Sequence, residues 1–215
     1  MKPPRYDEWV HSLFNQTISE NGPHLQCDEL WHTSSHLVEL TIWLLQHCAV
    51  DLAGFSNENV ALGLEHIFKG YDSEPYCFLK SGEVLRASKL ELIRSFQCLY
   101  AGCFETRCAP VLSHRDEPGG NSLNHFCYML WDRSPLGYWN DHKDPEEFNW
   151  TLIEMHKAVL RLSNPACIES ALHGLGHLHP ESGPAVESAI DEFIERGQAK
   201  SLVDYALLAR DGDVL

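Results

Sequence analysis

Phe148, Leu152, Met155, Val159 and Leu162 recur at steps of four, three, four and three, and no segment sustains a two-residue alternation. That is the period of a helix with one buried stripe, not of a half-buried strand. The stripe opens at Asp144-Pro145-Glu146-Glu147, an N-cap, a proline at the first helical position and acids where the helix dipole favours them. Asn164-Pro165 repeats the start signal at once, and Ile168, Leu172 and Leu175 continue it. So short a link predicts an antiparallel hairpin. A third helix is expected after Gly183-Pro184, with Val186, Ala189, Ile190, Phe193 and Ile194 inward and Gly197 as its stop. A fourth is expected from Ser201, with Asp204 at the capping-box position, to just before Gly212.

The first half reads the same way. Helices are expected over Tyr6 to Phe14, over 27–52 as one piece or two, and from a Ser56 cap through Lys69. Another is expected from the capping-box match at Ser88 to about Cys108, and one from Asn121 or Ser122 to Trp131-Asp132. Tyr76 to Leu79 is the only strand-like piece. The chain is therefore expected to be all-α, a single domain over residues 1–215 with a softer N-terminal segment at 1–24. Helix pairs too thin to bury their apolar faces alone predict antiparallel hairpins stacked as an α-solenoid of the HEAT/armadillo kind. A globular helical bundle is the alternative.

Two strings, Cys127-Tyr-Met-Leu-Trp-Asp132 and Glu169-Ser-Ala-Leu-His-Gly-Leu-Gly-His177, resemble those of uncharacterised bacterial helical-repeat proteins. The resemblance implies an armadillo/HEAT-type superhelix from about Tyr6 onward and carries over no catalytic residues.

Charge narrows the function classes. The chain holds 31 acidic and 16 basic residues, a net charge of −15. Such a surface repels nucleic acid, whose binding requires dense Lys and Arg. The most apolar run, Leu37 to Leu52, is broken by Glu39, Gln46, His47 and Asp51, which argues against a membrane partner. The eight cysteines sit in apolar contexts, the pattern of buried free thiols in a reducing cytoplasm.

Few residues suggest chemistry. Glu169, His173 and His177 stand at i, i+4 and i+8, on one helical face, and two imidazoles with a carboxylate are a credible zinc or iron set. His179 is near enough to join. Yet the position after the first histidine, where a metalloprotease carries its glutamate, is Gly174. Gly174 and Gly176 each cost a helix about 1 kcal/mol relative to Ala. That expense suggests close packing by a neighbouring helix, with the histidines buried or capping and no cofactor. His32 and His36 are a weaker pair. His114-Arg115-Asp116 with Asn121 imitates a kinase catalytic loop, but the glycine-rich loop and strand lysine are missing. Cys98, Cys103 and Cys108 repeat every five residues, which on a helix points them apart.

The acidic clusters remain: Glu181, Glu187, Asp191, Glu192 and Glu195 in one, and Asp141, Asp144, Glu146 and Glu147 in the other. The leading expectation is a non-enzymatic acidic protein-binding domain that uses them to cover a basic partner. An immunity or inhibitor protein neutralising a toxin is its sharpest form, since opposite potentials speed encounter. A metal-dependent enzyme and a general peptide-docking scaffold are the alternatives.

Overall fold

The computed structural model describes residues 1–15, 33–68, 81–137, 139 and 144–214, and among them there is no strand. The helices are α1 (Tyr6–Phe14), α2 (Ser34–Asp51), α3 (Asn57–Phe68), α4 (Arg86–Leu99), α5 (Ser122–Arg133), α6 (Pro145–Val159), α7 (Pro165–Glu195) and α8 (Val203–Asp211). Tyr76 to Leu79, His32, Cys27, Cys77 and Asp141 lie outside the described residues.

Several starts follow the predicted chemistry and several do not. Asn121 caps α5 through the Leu123 N–H, with Asn124 closing a capping box. Asn164 caps α7 by accepting from the Ala166 N–H at 3.0 Å. Its amide also donates to the Glu105 and Cys108 carbonyls at 3.2 and 2.9 Å, tying the end of one helix to the start of another. Asp144, by contrast, sits in the left-handed region (φ 58°) and caps nothing with its side chain. Helix α4 begins at Arg86, ahead of the expected Ser88 box, and α8 starts at Val203 after a 3₁₀ turn at Lys200–Leu202, with Asp204 inside its first turn.

Helix α4 runs on as a π-helical stretch, Tyr100–Phe104, and a final turn, Glu105–Arg107. Arg107 then donates to the Leu52 and Phe55 carbonyls at 2.9 and 2.6 Å and to Asn57 at 2.9 Å. A guanidinium thus binds carbonyls at and just beyond the end of α2, where the dipole favours a cation.

Helix α7 breaks where the sequence expects it to. Two helices were predicted around Pro184, and the span Pro165–Glu195 is two helices that meet at a kink, where Ser182 leaves helical geometry (φ −143°, ψ 30°), the second ending at Arg196 before the left-handed Gly197 (φ 65°). Pro184 has no N–H and its ring crowds the carbonyl of residue 180, so the ladder breaks locally while packing keeps the two halves together. Every residue from Ala166 to Gly176 is buried. This is a helix buried all round, and α5, α6 and α8 pack on it. Elsewhere, alternate helices pack on one another: α1 on α3, α3 on α5, α2 on α4 and α4 on α6.

The described cysteines, Cys48, Cys98, Cys103, Cys108, Cys127 and Cys167, are all free, and of these Cys98 alone is exposed. No helix among the described residues is long and apolar enough to cross a membrane.

Helix α1 packs on α3 over Gly63. A Cβ there would stand 2.4 Å from two ring carbons of the fully buried Phe14. Overpacking of about 1–3 kcal/mol, less about 1 kcal/mol of helix propensity gained, predicts that Gly63→Ala destabilises by up to about 2 kcal/mol. Gly54, with nothing within 4 Å of its Cβ position, serves as the control, and Gly54→Ala should stay within about 0.5 kcal/mol in urea denaturation.

Candidate metal centre

The buried helix α7 carries His173 and His177 one turn apart, and α5 crosses it so that its last turn delivers Asp132 between them. His173 Nε2 lies 2.8 Å from Asp132 Oδ2, and His177 Nε2 lies 3.1 Å from Asp132 Oδ1. The two Nε2 atoms are themselves 3.0 Å apart, with the ring planes 88° to each other. The potential ligand atoms of Asp132, His173 and His177 all fall within 4.8 Å of one another. His173 is fully buried, whereas the side chains of Asp132 and His177 are 24% and 26% exposed, so the cluster opens on their side.

Behind the cluster, α8 supplies Tyr205, whose hydroxyl is 2.7 Å from His173 Nδ1 and 3.4 Å from the Tyr128 hydroxyl. A tyrosine hydroxyl both donates and accepts, so it suits either tautomer of His173. Against the ionised Asp132 carboxylate the Nε2–H donates and Nδ1 accepts from Tyr205; with Nε2 turned to an ion, the Nδ1–H would donate to Tyr205 instead, as the second nitrogen of a metal-bound histidine donates to an outer partner. Burial pushes the Tyr205 hydroxyl far up, so it stays protonated. Burial alone would also raise the Asp132 carboxyl, but its contacts with His173 and His177 win and hold it well below the usual carboxylate range. The cluster therefore presents two imidazoles and one anion.

Glu169 is elsewhere. Its Oε2 accepts from the Ser113 N–H at 2.9 Å, and its Oε1 accepts from the His114 N–H at 2.8 Å and lies 2.5 Å from His114 Nδ1. Both oxygens of this fully buried carboxylate are engaged by the Ser113–Arg115 turn. The expected trio of Glu169, His173 and His177 is thus not one cluster: Asp132 stands where Glu169 was placed, because two helical steps turn Glu169 away from His177. Glu169 still bears on the centre indirectly, since the His114 ring it holds stacks on Tyr205 at 4.2 Å. His179 faces Glu187 at 3.5 Å. Asp132 closes the Cys127–Asp132 string, but no local spacing ties it to the two histidines.

The glycines of α7 admit side chains rather than a neighbouring backbone. A Cβ on Gly174 would meet His156 Cε1 at 2.3 Å, His156 Nε2 at 2.6 Å and Trp131 Cδ1 at 2.9 Å; one on Gly176 would meet Val214 at 2.5 Å.

The acidic residues divide by partner. Asp191 accepts two bonds from Arg210 at 2.7 and 3.1 Å, and Glu187 lies 3.9 Å from the same guanidinium. Glu192 faces Lys157, Arg161 and Arg196 at 3.3, 3.6 and 3.7 Å. Arg86 pairs with Glu147 and lies 3.9 Å from Asp144. Glu146, Glu181 and Glu195 are exposed. His36 faces Glu39 at 3.8 Å.

Comparison with protein-family models, curated proteins and solved structures returned no match.

His156 gives a pH prediction. Burial, then the charges of His173 and His177, lower its pKa to about 3, against about 6.5 in an unfolded chain. Below pH 6.5 the unfolded chain takes up a proton that the folded one does not, so stability is full above that pH and falls on acidification toward 3. Between pH 7.5 and 5 this site should remove about 2 kcal/mol in chelator-treated protein. Urea titrations of His156→Phe, which cannot titrate, should show a correspondingly flatter pH dependence.

Proposed function

We propose that this protein binds one divalent first-row transition-metal ion, zinc or iron foremost, through Asp132, His173 and His177, and uses it to activate water. The supporting observation is the mutual spacing of the three groups: 2.8, 3.0 and 3.1 Å between ligand atoms. Ligands about 2.0–2.1 Å from a common ion stand about 2.9 Å from one another at octahedral angles and about 3.4 Å apart at the tetrahedral angle of zinc, so a small adjustment of the side chains admits zinc. Two histidines and a carboxylate on one side of an ion leave the opposite positions open for water or substrate. A zinc ion so held brings the pKa of its water to about 7, and an iron ion has room for a second ligand.

A second reading keeps the acidic surface as a docking face for a basic partner, an inhibitor's role. Its support is the net charge of −15 and the open groove that Glu187, Asp191, Glu192 and Glu195 line with Pro184 and Ser188. Cations from α6 and α8 already balance part of that groove. We also read the packing of alternate helices as the two layers of a short α-solenoid, and the free thiols as those of a protein in a reducing cytoplasm.

Elemental analysis of tag-free protein decides between the readings. About one equivalent of zinc, iron or manganese per chain is expected, lost on Asp132→Ala or His177→Ala and retained by Glu187→Gln. A metal-free wild type that also fails to take up added zinc or ferrous ion would leave the three groups as a structural hydrogen-bond cluster.

A further inference from the structure

The side chain of His156 is the least explained in the molecule. It projects from α6 into full burial, and neither ring nitrogen has a hydrogen-bond partner among the described residues. Leaving a buried polar atom unsatisfied costs about 1–3 kcal/mol. A phenyl ring would fill the same space without that penalty. An orphaned buried acceptor in an otherwise well-satisfied core therefore points to a water or an ion that it serves.

The position of the ring says which. It lies against Gly174, the residue directly after His173, so closely that a Cβ there would stand 2.6 Å from its Nε2. The imidazole thus takes the volume that the side chain of residue 174 would otherwise fill. In a helix with histidines at i and i+4 binding zinc, that is the position that carries the group acting on the metal-bound water. This chain places a glycine there and brings a neutral imidazole from another helix into the vacated space. Trp131, the immediate neighbour of Asp132, lies edge-on to the His156 ring at 4.5 Å and comes up against the same Gly174 position. No ring nitrogen of His156 joins the ligand atoms of Asp132, His173 and His177 that lie within 4.8 Å of one another, so it is not a direct ligand of that set.

We propose that His156 is the positioning residue of this centre, accepting a hydrogen bond through a ring nitrogen from a water bound to the ion on Asp132, His173 and His177. The proposal rests on the metal reading above. It assigns to the centre a polar group on its buried side, opposite in character to the open side where Asp132 and His177 meet solvent. It also accounts for Gly174, whose missing side chain is what lets the imidazole in.

Cobalt(II) is the probe, because its visible absorption reports the number and arrangement of its ligands, water included. Wild type, His156→Gln, His156→Phe and Gly174→Ala are each loaded with cobalt, and folding is checked by circular dichroism. All are expected to bind about one equivalent, since the three ligands are untouched. His156→Gln, which keeps an acceptor, should retain the wild-type band positions. His156→Phe should shift the bands or change their intensity, and so should Gly174→Ala, which displaces the ring without altering it. Should His156→Phe fail to fold, the comparison of Gly174→Ala with His156→Gln carries the test. Spectra of His156→Phe and Gly174→Ala identical to wild type would overturn the role of His156 while leaving the metal site standing. Failure of wild type itself to bind cobalt would overturn the metal reading and this proposal with it.

Discussion

Everything around α7 follows from one constraint: a stretch of helix buried on all sides carries three polar side chains, Glu169, Ser170 and His173, that are fully buried. Each must find a partner inside the protein or forfeit its hydrogen bonds with water. Glu169 draws in the backbone of Ser113 and His114. Ser170 donates to the Cys127 carbonyl at 2.5 Å and lies 2.7 Å from the Tyr100 hydroxyl, which accepts from the Trp131 indole at 3.0 Å. His173 takes Asp132 from one helix and Tyr205 from another. Three neighbouring positions thereby dock a loop, the π-helical end of α4, α5 and α8 against one helix. The polar contacts specify the arrangement, while the apolar surface around them supplies the drive to bury it.

The same network ranks the groups in and around the cluster of Asp132, His173 and His177. Asp132 and His177 are partly exposed and accessible, His173 is locked from both ring nitrogens, and His156 alone is left with nothing to bond. A histidine whose two nitrogens are both claimed, one by a carboxylate and the other by a tyrosine, is held in one orientation. That preorganisation is what a ligand for a small ion requires. The surface charge behaves differently. Most carboxylates on the second half of α7 face arginines and lysines from other helices across exposed gaps, where such pairs contribute about 0–1 kcal/mol. They shape the field around the protein more than its fold.

Much of the secondary structure was legible because its signals are local. The α6 stripe, the Asn121 and Asn164 caps and the Gly212 stop all depend on residues within a turn or two of one another. The misreadings share a cause as well. Asp144 had the residue type of an N-cap, yet it took a left-handed backbone and leaned toward Arg86, a cation from a distant helix. Gly174 and Gly176 were rightly read as close-packing positions, but the intruders are side chains, His156 and Val214, which no periodicity announces.

The sequence by itself determined an all-helical chain, a histidine pair one turn apart and a strongly acidic surface, because helix period, i to i+4 spacing and composition are properties of neighbouring residues or of sums over them. Only the tertiary structure decided which carboxylate meets that pair. Glu169, four residues before His173, is turned away to a loop, and Asp132, 41 residues before it, arrives on a crossing helix. The physical reason is that each residue along a helix rotates about 100° from the last, so closeness in sequence gives two residues a shared face without a shared point. Convergence on a point is set by where helices cross, and that depends on the packing of the whole core.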